Sequence, residues 1–107
     1  MEIWSPSTSG GGGGGSESLT PSTISSYPST LTIGHFHTCT GTGGRVNLPA
    51  GSGLSTVRDC VVANQSSGTV SVYGAGSDTV NGDASLDIAA QDGAVALFWT
   101  GSGWQSY

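Results

Sequence analysis

From Leu31 onward the chain alternates apolar and polar residues with a period of two, in short Val- and Ile-containing runs cut by Gly, Asn and Asp. That period sends successive side chains to opposite faces of a strand. No apolar stripe recurs every ~3.6 residues for long enough to build a helix. Strands are predicted at residues 31–39, 45–48, 57–63, 69–73, 85–89, 94–99 and 103–107. The segment 64–68 separates two Val-rich runs and carries Gly68 at a position that can take positive φ, which predicts a hairpin loop. Gln91-Asp92-Gly93 and Gly101-Ser102-Gly103 read as turns in the same way. Alternation groups Leu86, Ile88 and Ala90 on one face, and Val95, Leu97 and Trp99 on one face of the next strand. The expected fold is all-β, a small antiparallel β-sandwich or barrel over residues 30–107.

Ahead of that body, residues 5–29 consist mostly of Ser, Thr, Pro and Gly, with an unbroken glycine run at 10–15. Glycine has the most backbone entropy to lose and no side chain to pack, so residues 1–29 are expected to form a flexible Gly/Ser-rich arm. Ile3 and Trp4 are the only large apolar groups in it before Leu19, apart from Met1. Met1, Ile3 and Trp4 therefore read as an anchor peptide, against the plainer reading of a frayed terminus. A body this small buries roughly 60% of the surface its unfolded chain exposes, which makes self-association the default expectation.

The charge pattern excludes several partners. Only 8% of residues are charged, lysine is absent, and Arg45 and Arg58 face seven carboxylates for a net charge of -5. Two cations cannot assemble the cluster that a phosphate backbone requires, so nucleic acid is not an expected partner. Anionic membranes would repel the same surface. The N-terminus Met1-Glu2-Ile3-Trp4 has neither the basic nor the apolar region of a secretion signal, and no stretch approaches a membrane span. The expected site of synthesis is the cytosol, where Cys39 and Cys60 would stay reduced and buried. Their number leaves a disulfide open.

Catalytic signals are weak. Residues 74–83 resemble a single copy of the Gly/Asp-rich calcium repeat, but that site needs oxygens from successive stacked turns. Asp78, Asp83, Asp87 and Asp92 sit largely at turns, where a short carboxylate caps backbone amides. No nucleophile elbow, metal-protease helix or phosphate loop occurs, so no enzyme is expected. Tyr73, Trp99, Trp104 and Tyr107 lie near strand ends and offer a candidate glycan platform, although such aromatics more often close the ends of a small β-body.

From Arg45 on, four segments in order carry a resemblance. They are Val46-Asn47-Leu48-Pro49; the pair Cys60-Val61-Val62-Ala63-Asn64 and Gly68-Thr69-Val70-Ser71-Val72; Asp78-Thr79-Val80-Asn81-Gly82 with Ala84-Ser85-Leu86; and Gly101-Ser102-Gly103-Trp104. The chain resembles a small β-module of tailed-bacteriophage virion proteins found in head decoration, fibre and baseplate appendages. The resemblance implies a homotrimer, no catalysis and display on a virion assembled in the host cytoplasm.

His35-Phe36-His37 lies upstream of the matching region. On a strand both imidazoles share a face, and three chains around an axis would gather six nitrogens, enough for octahedral iron or another transition metal. The alternative is that His35 and His37 border the core or an interface with Leu31, Ile33 and Cys39. A chain of this length has no room for a fibre shaft. The expected function is therefore a trimeric capsid decoration (cement) protein, held to the major capsid protein or another virion protein by its arm. The competing expectation is a receptor- or glycan-binding tip of a tail fibre or baseplate appendage.

Overall fold

The computed structural model describes residues 19–52, 54, 60–91 and 93–106, and these form strands and turns without a helix among them. The strands are β1 (Thr20–Ile24), β2 (Ser29–Thr30), β3 (His35–Cys39), β4 (Gly44–Asn47), β5 (Cys60–Asn64), β6 (Val70–Tyr73), β7 (Ser85–Ile88), β8 (Gly93–Trp99) and β9 (Trp104–Ser106). They make two mixed sheets, one of order β1-β3-β5-β8-β9 and one of order β2-β4-β6-β7. Neither order closes on itself. The inner residues of both sheets share one hydrophobic cluster, including Cys39, Cys60, Val62, Leu97, Trp99 and Trp104 from the first and Val46, Val70, Val72 and Ile88 from the second.

The pairing corrects the expectation of a purely antiparallel body. β1 with β3, β3 with β5, β2 with β4 and β4 with β6 are parallel. Only β5 with β8, β6 with β7 and β8 with β9 are antiparallel. Through β6 the chain changes sheet at every strand, so it winds coil upon coil before the last three strands turn back over the end. Segment 64–68 is accordingly a corner between sheets and not a hairpin loop. The 89–92 connection likewise joins β7 of one sheet to β8 of the other. The turn at 101–103 is the expected hairpin, with Trp99 opposite Trp104.

Two strands lie where the arm was expected. Residues 20–24 pair along β3 and residues 29–30 pair along β4, so the two sheets take in residues from about ten positions before Thr30. Thr20 N donates to Gly34 O and Thr40 N donates to Ile24 O, which points the even positions of β1 at β3. Pro21 then faces outward at a sheet edge, where its missing N–H leaves no ladder bond unmade. The anchor residues Met1, Ile3 and Trp4, the glycine run, residues 57–59, Asp92 and Tyr107 lie outside the described residues.

Each sheet follows its sequence pattern. β6 alternates, with Val70 and Val72 buried and Ser71 and Tyr73 half-exposed. β5 is central, flanked by β3 and β8, and buried at all five positions. Its unbroken Cys60-Val61-Val62-Ala63 run fits a strand covered on both faces. Gly51 lies against the Trp99 ring so closely that a Cβ there would overlap ring carbons.

The free edge of β9 is closed by residues 79–81. Trp104 N donates to Thr79 O at 2.9 Å and Asn81 N donates to Trp104 O at 2.8 Å. Asn81 Oδ1 accepts from Ser106 N, and its Nδ2 donates to Ser106 Oγ, both at 2.9 Å. Asn81 and Gly82 form a two-residue turn with φ of 53° and 86°, closed by paired bonds between Val80 and Asp83. This is the positive-φ hairpin turn that Asn-Gly favours.

Candidate functional site

His35 and His37 fall on one face of β3, as alternation requires, and their rings stack with centroids 5.7 Å apart. His37 is 2% exposed. Its Nδ1 lies 2.9 Å from Val61 O, and its Nε2 accepts from Thr32 N at 3.0 Å. An imidazole that accepts at Nε2 and sits against a carbonyl at Nδ1 is the neutral Nδ1–H tautomer. Both nitrogens are thus engaged with backbone, and a metal could reach either only by breaking one of these bonds. Burial pushes the His37 pKa below its ordinary value, neighbouring His35 pushes the same way, and the Val61 bond opposes them. His35 Nδ1 is 2.6 Å from Ser22 Oγ on β1. The pair thus ties β1, β5 and the 31–34 connection to β3, which is the bordering role weighed against a metal.

The three described aromatics of the expected platform do not form one exposed surface. Trp104 is fully buried and Trp99 is 7% exposed. They meet edge to face at 5.5 Å inside the core, where neither can stack on a sugar. Trp104 Nε1 has no hydrogen-bond partner. Tyr73 lies on the outward face of the other sheet, and Tyr107 is outside the described residues.

That outward face of the four-stranded sheet is polar. Arg45 stands over the Tyr73 ring at 3.9 Å and donates from Nε to Asn47 Oδ1 at 2.8 Å. Ser71 Oγ donates to Asp87 Oδ1 at 2.8 Å, one strand across. Register also places Thr30 and Ser85 in the row of Asn47 and Tyr73. The only member of this group that sequence reasoning singled out as a site residue was Tyr73. Alternation along β4 and β6 was the signal that could have assembled the rest.

The outward face of the five-stranded sheet is apolar. Register aligns Phe36, Val61 and Ala96 in one row and Thr38, Ala63 and Ala94 in the next, with Phe98 beside them. Val61 and Ala96 are fully buried although they point away from the shared core, and Phe36, Ala94 and Phe98 are half-buried.

The remaining polar groups hold corners. Asn64 is fully buried. Its Nδ2 reaches Gly68 O, Ile88 O and Ala89 O, and its Oδ1 accepts from Ser66 N and Ser66 Oγ. Asp78 Oδ2 accepts from Gly51 N at 2.9 Å, which ties its turn to the loop after β4. Cys39 and Cys60 are both fully buried and are not bonded to each other. Register puts Cys60 level with His35, four positions from Cys39, a separation of about 13 Å that no disulfide spans. Burial raises the Cys39 thiol, and burial together with Cys39 pushes Tyr27 up to about 12.

Comparison with protein families, with curated proteins and with solved structures finds no match to this chain.

Proposed function

We propose that this chain is a structural protein of a tailed-bacteriophage virion, a homotrimeric capsid decoration (cement) protein with no catalytic role. Its two sheets serve as a small sandwich, and the residues ahead of β1 supply the attachment, with Met1, Ile3 and Trp4 gripping the major capsid protein or another virion protein. The observation that carries this reading is the apolar outward face of the five-stranded sheet. Its centre at Val61 and Ala96 is already covered within one chain, and in a body this small the apolar rim favours burial against further copies of the same chain. The half-buried Phe36 and Ala94 are the surface such copies would cover.

The polar side chains support the same reading. Buried His37 and Asn64 and half-buried Asp78 each bond the chain's own backbone, which is how a rigid building block satisfies its polar groups. Counting copies on purified particles by quantitative mass spectrometry tests the proposal. Hundreds of copies per particle, lost from the Trp4→Ala variant, are expected; a handful confined to tails would overturn the capsid assignment.

A second reading, the receptor- or glycan-binding tip, is favoured by the Arg45, Asn47, Tyr73 and Asp87 surface. It replaces the platform of buried tryptophans with a different face. Glycan-array binding that disappears in Tyr73→Ala would select this reading, and an empty array would remove it.

A further inference from the structure

We infer that Asn81–Gly82 is a site of spontaneous deamidation, gated by the fold, whose isoaspartate product undoes the clamp on the C-terminal strand. The inference does not depend on the virion reading. The chain has three asparagines, followed by Leu48, Gln65 and Gly82. Only Gly82 lacks a side chain to obstruct approach of its backbone nitrogen to the preceding carboxamide. Asn64 is fully buried, whereas Asn81 and Gly82 are both exposed at the tip of their turn.

The chemistry needs only water. The Gly82 nitrogen, losing its proton, bonds to Asn81 Cγ while the Cγ–Nδ2 bond breaks, and ammonia leaves carrying that proton. The five-membered imide then adds water at one of its two carbonyls. Opening at the side-chain carbonyl gives Asp; opening at the main-chain carbonyl gives isoaspartate, with the backbone now running through Cγ. Water enters and ammonia leaves, with no change of oxidation state.

The gate is the pair of bonds to Ser106. They hold the Asn81 carboxamide along β9, its Oδ1 on Ser106 N and its Nδ2 on Ser106 Oγ. Cyclisation must first release both. The product then cannot restore what was released, because isoaspartate inserts a methylene into a turn that has room for two residues between Val80 and Asp83. The bonds from Trp104 N to Thr79 O and from Asn81 N to Trp104 O depend on the same turn. Conversion to Asp keeps the backbone and loses only the donor to Ser106 Oγ.

The test is to incubate the full chain at mildly alkaline pH and follow it by peptide mapping that separates Asn, Asp and isoaspartate. Amide exchange at Trp104 and Ser106 is read on the same samples. Modification should concentrate at Asn81, and exchange should rise with the isoaspartate fraction. Ser106→Ala should speed deamidation about fivefold, the change in opening expected for one lost neutral hydrogen bond. Asn81→Asp should leave Trp104 protected, separating the lost donor from the rerouted backbone. The inference is overturned if Asn47 or Asn64 reacts first, if Ser106→Ala leaves the rate unchanged, or if isoaspartate forms without faster exchange at Trp104.

Discussion

The two sheets present opposite outward faces. The four-stranded sheet buries Val46, Val70, Val72 and Ile88 and turns Arg45, Asn47, Ser71, Tyr73 and Asp87 outward. The five-stranded sheet is apolar on both sides at its centre, with Val62 facing the shared core and Val61 facing away, each fully buried. The difference shows how one chain divides its labour. One sheet keeps a solvated face, while the other is covered on both sides at its centre within the single chain and leaves only the rim of its outer face, at Phe36 and Ala94, half-buried.

Substitutions can break this contrast directly. Val61→Asp places an unpaired carboxylate at a fully buried outward position and should cost about 4 kcal/mol, whereas Thr30→Asp, at an exposed outward position of the other sheet, should cost under about 1 kcal/mol. Urea unfolding of the two variants measures this. Equal costs would mean that the two faces do not differ in the way their residues imply.

Asn64 joins the sheets, because it stands at the end of β5 and bonds Ile88 O and Ala89 O at the end of β7. Asn64→Ala removes a donor and acceptor that the corner at 64–68 relies on, and should cost about 2 to 3 kcal/mol. Amide exchange should rise at Ser66 and Gly68 before it rises in β9. A variant as stable as the parent would show that the corner holds by packing alone.

The next effect depends on pH. His37 titrates below its ordinary value of 6.5 in the fold, so below that pH the unfolded chain binds the proton more readily than the folded one. Its contribution to stability is complete above about pH 6.5 and declines as the pH falls, by at most about 1.4 kcal/mol per unit, until the folded-state pKa is passed. Protonated Nε2 could no longer accept from Thr32 N, so exchange at Thr32 should quicken while β6 stays protected. His37→Gln should flatten this dependence; an unchanged slope would assign it elsewhere.

The smallest effect lies on the polar face. Arg45→Ala removes an exposed guanidinium from the Tyr73 ring and should cost about 0.5 kcal/mol, measurable as a small shift in denaturation midpoint. A loss of several kcal/mol would make that face a structural element rather than a solvated surface.

Much of the strand content was legible because burial on one face imposes alternation. β6 shows it in Val70 and Val72, and β3 shows it in His37 and Cys39. Pairing partners were not legible. A Gly-containing loop between two Val-rich runs suits a hairpin or a corner between sheets equally well, and here the buried Asn64 side chain forms the corner. β1 and β2 escaped notice because Thr20-Pro21-Ser22-Thr23 has linker composition. Edge position tolerates the proline, and the bonds come from the backbone, which leaves no mark on residue type.

The candidate site was legible only in part. Period two correctly put His35 and His37 on one face, yet the carbonyl of Val61 and the amide of Thr32 that occupy His37 are set by tertiary structure. Trp99 and Trp104 were read at strand ends, where they are, but whether an aromatic at a strand end faces the core or solvent is decided by the neighbouring sheet.

The most direct test is the mass of the full chain in solution at micromolar concentration, by light scattering, for the parent, Phe36→Glu and Tyr73→Ala. If copies associate through the apolar face, the parent and Tyr73→Ala are trimers, and Phe36→Glu is a monomer with its strand signal intact by circular dichroism. A stable monomeric parent, or a trimer that Phe36→Glu leaves whole, would contradict it.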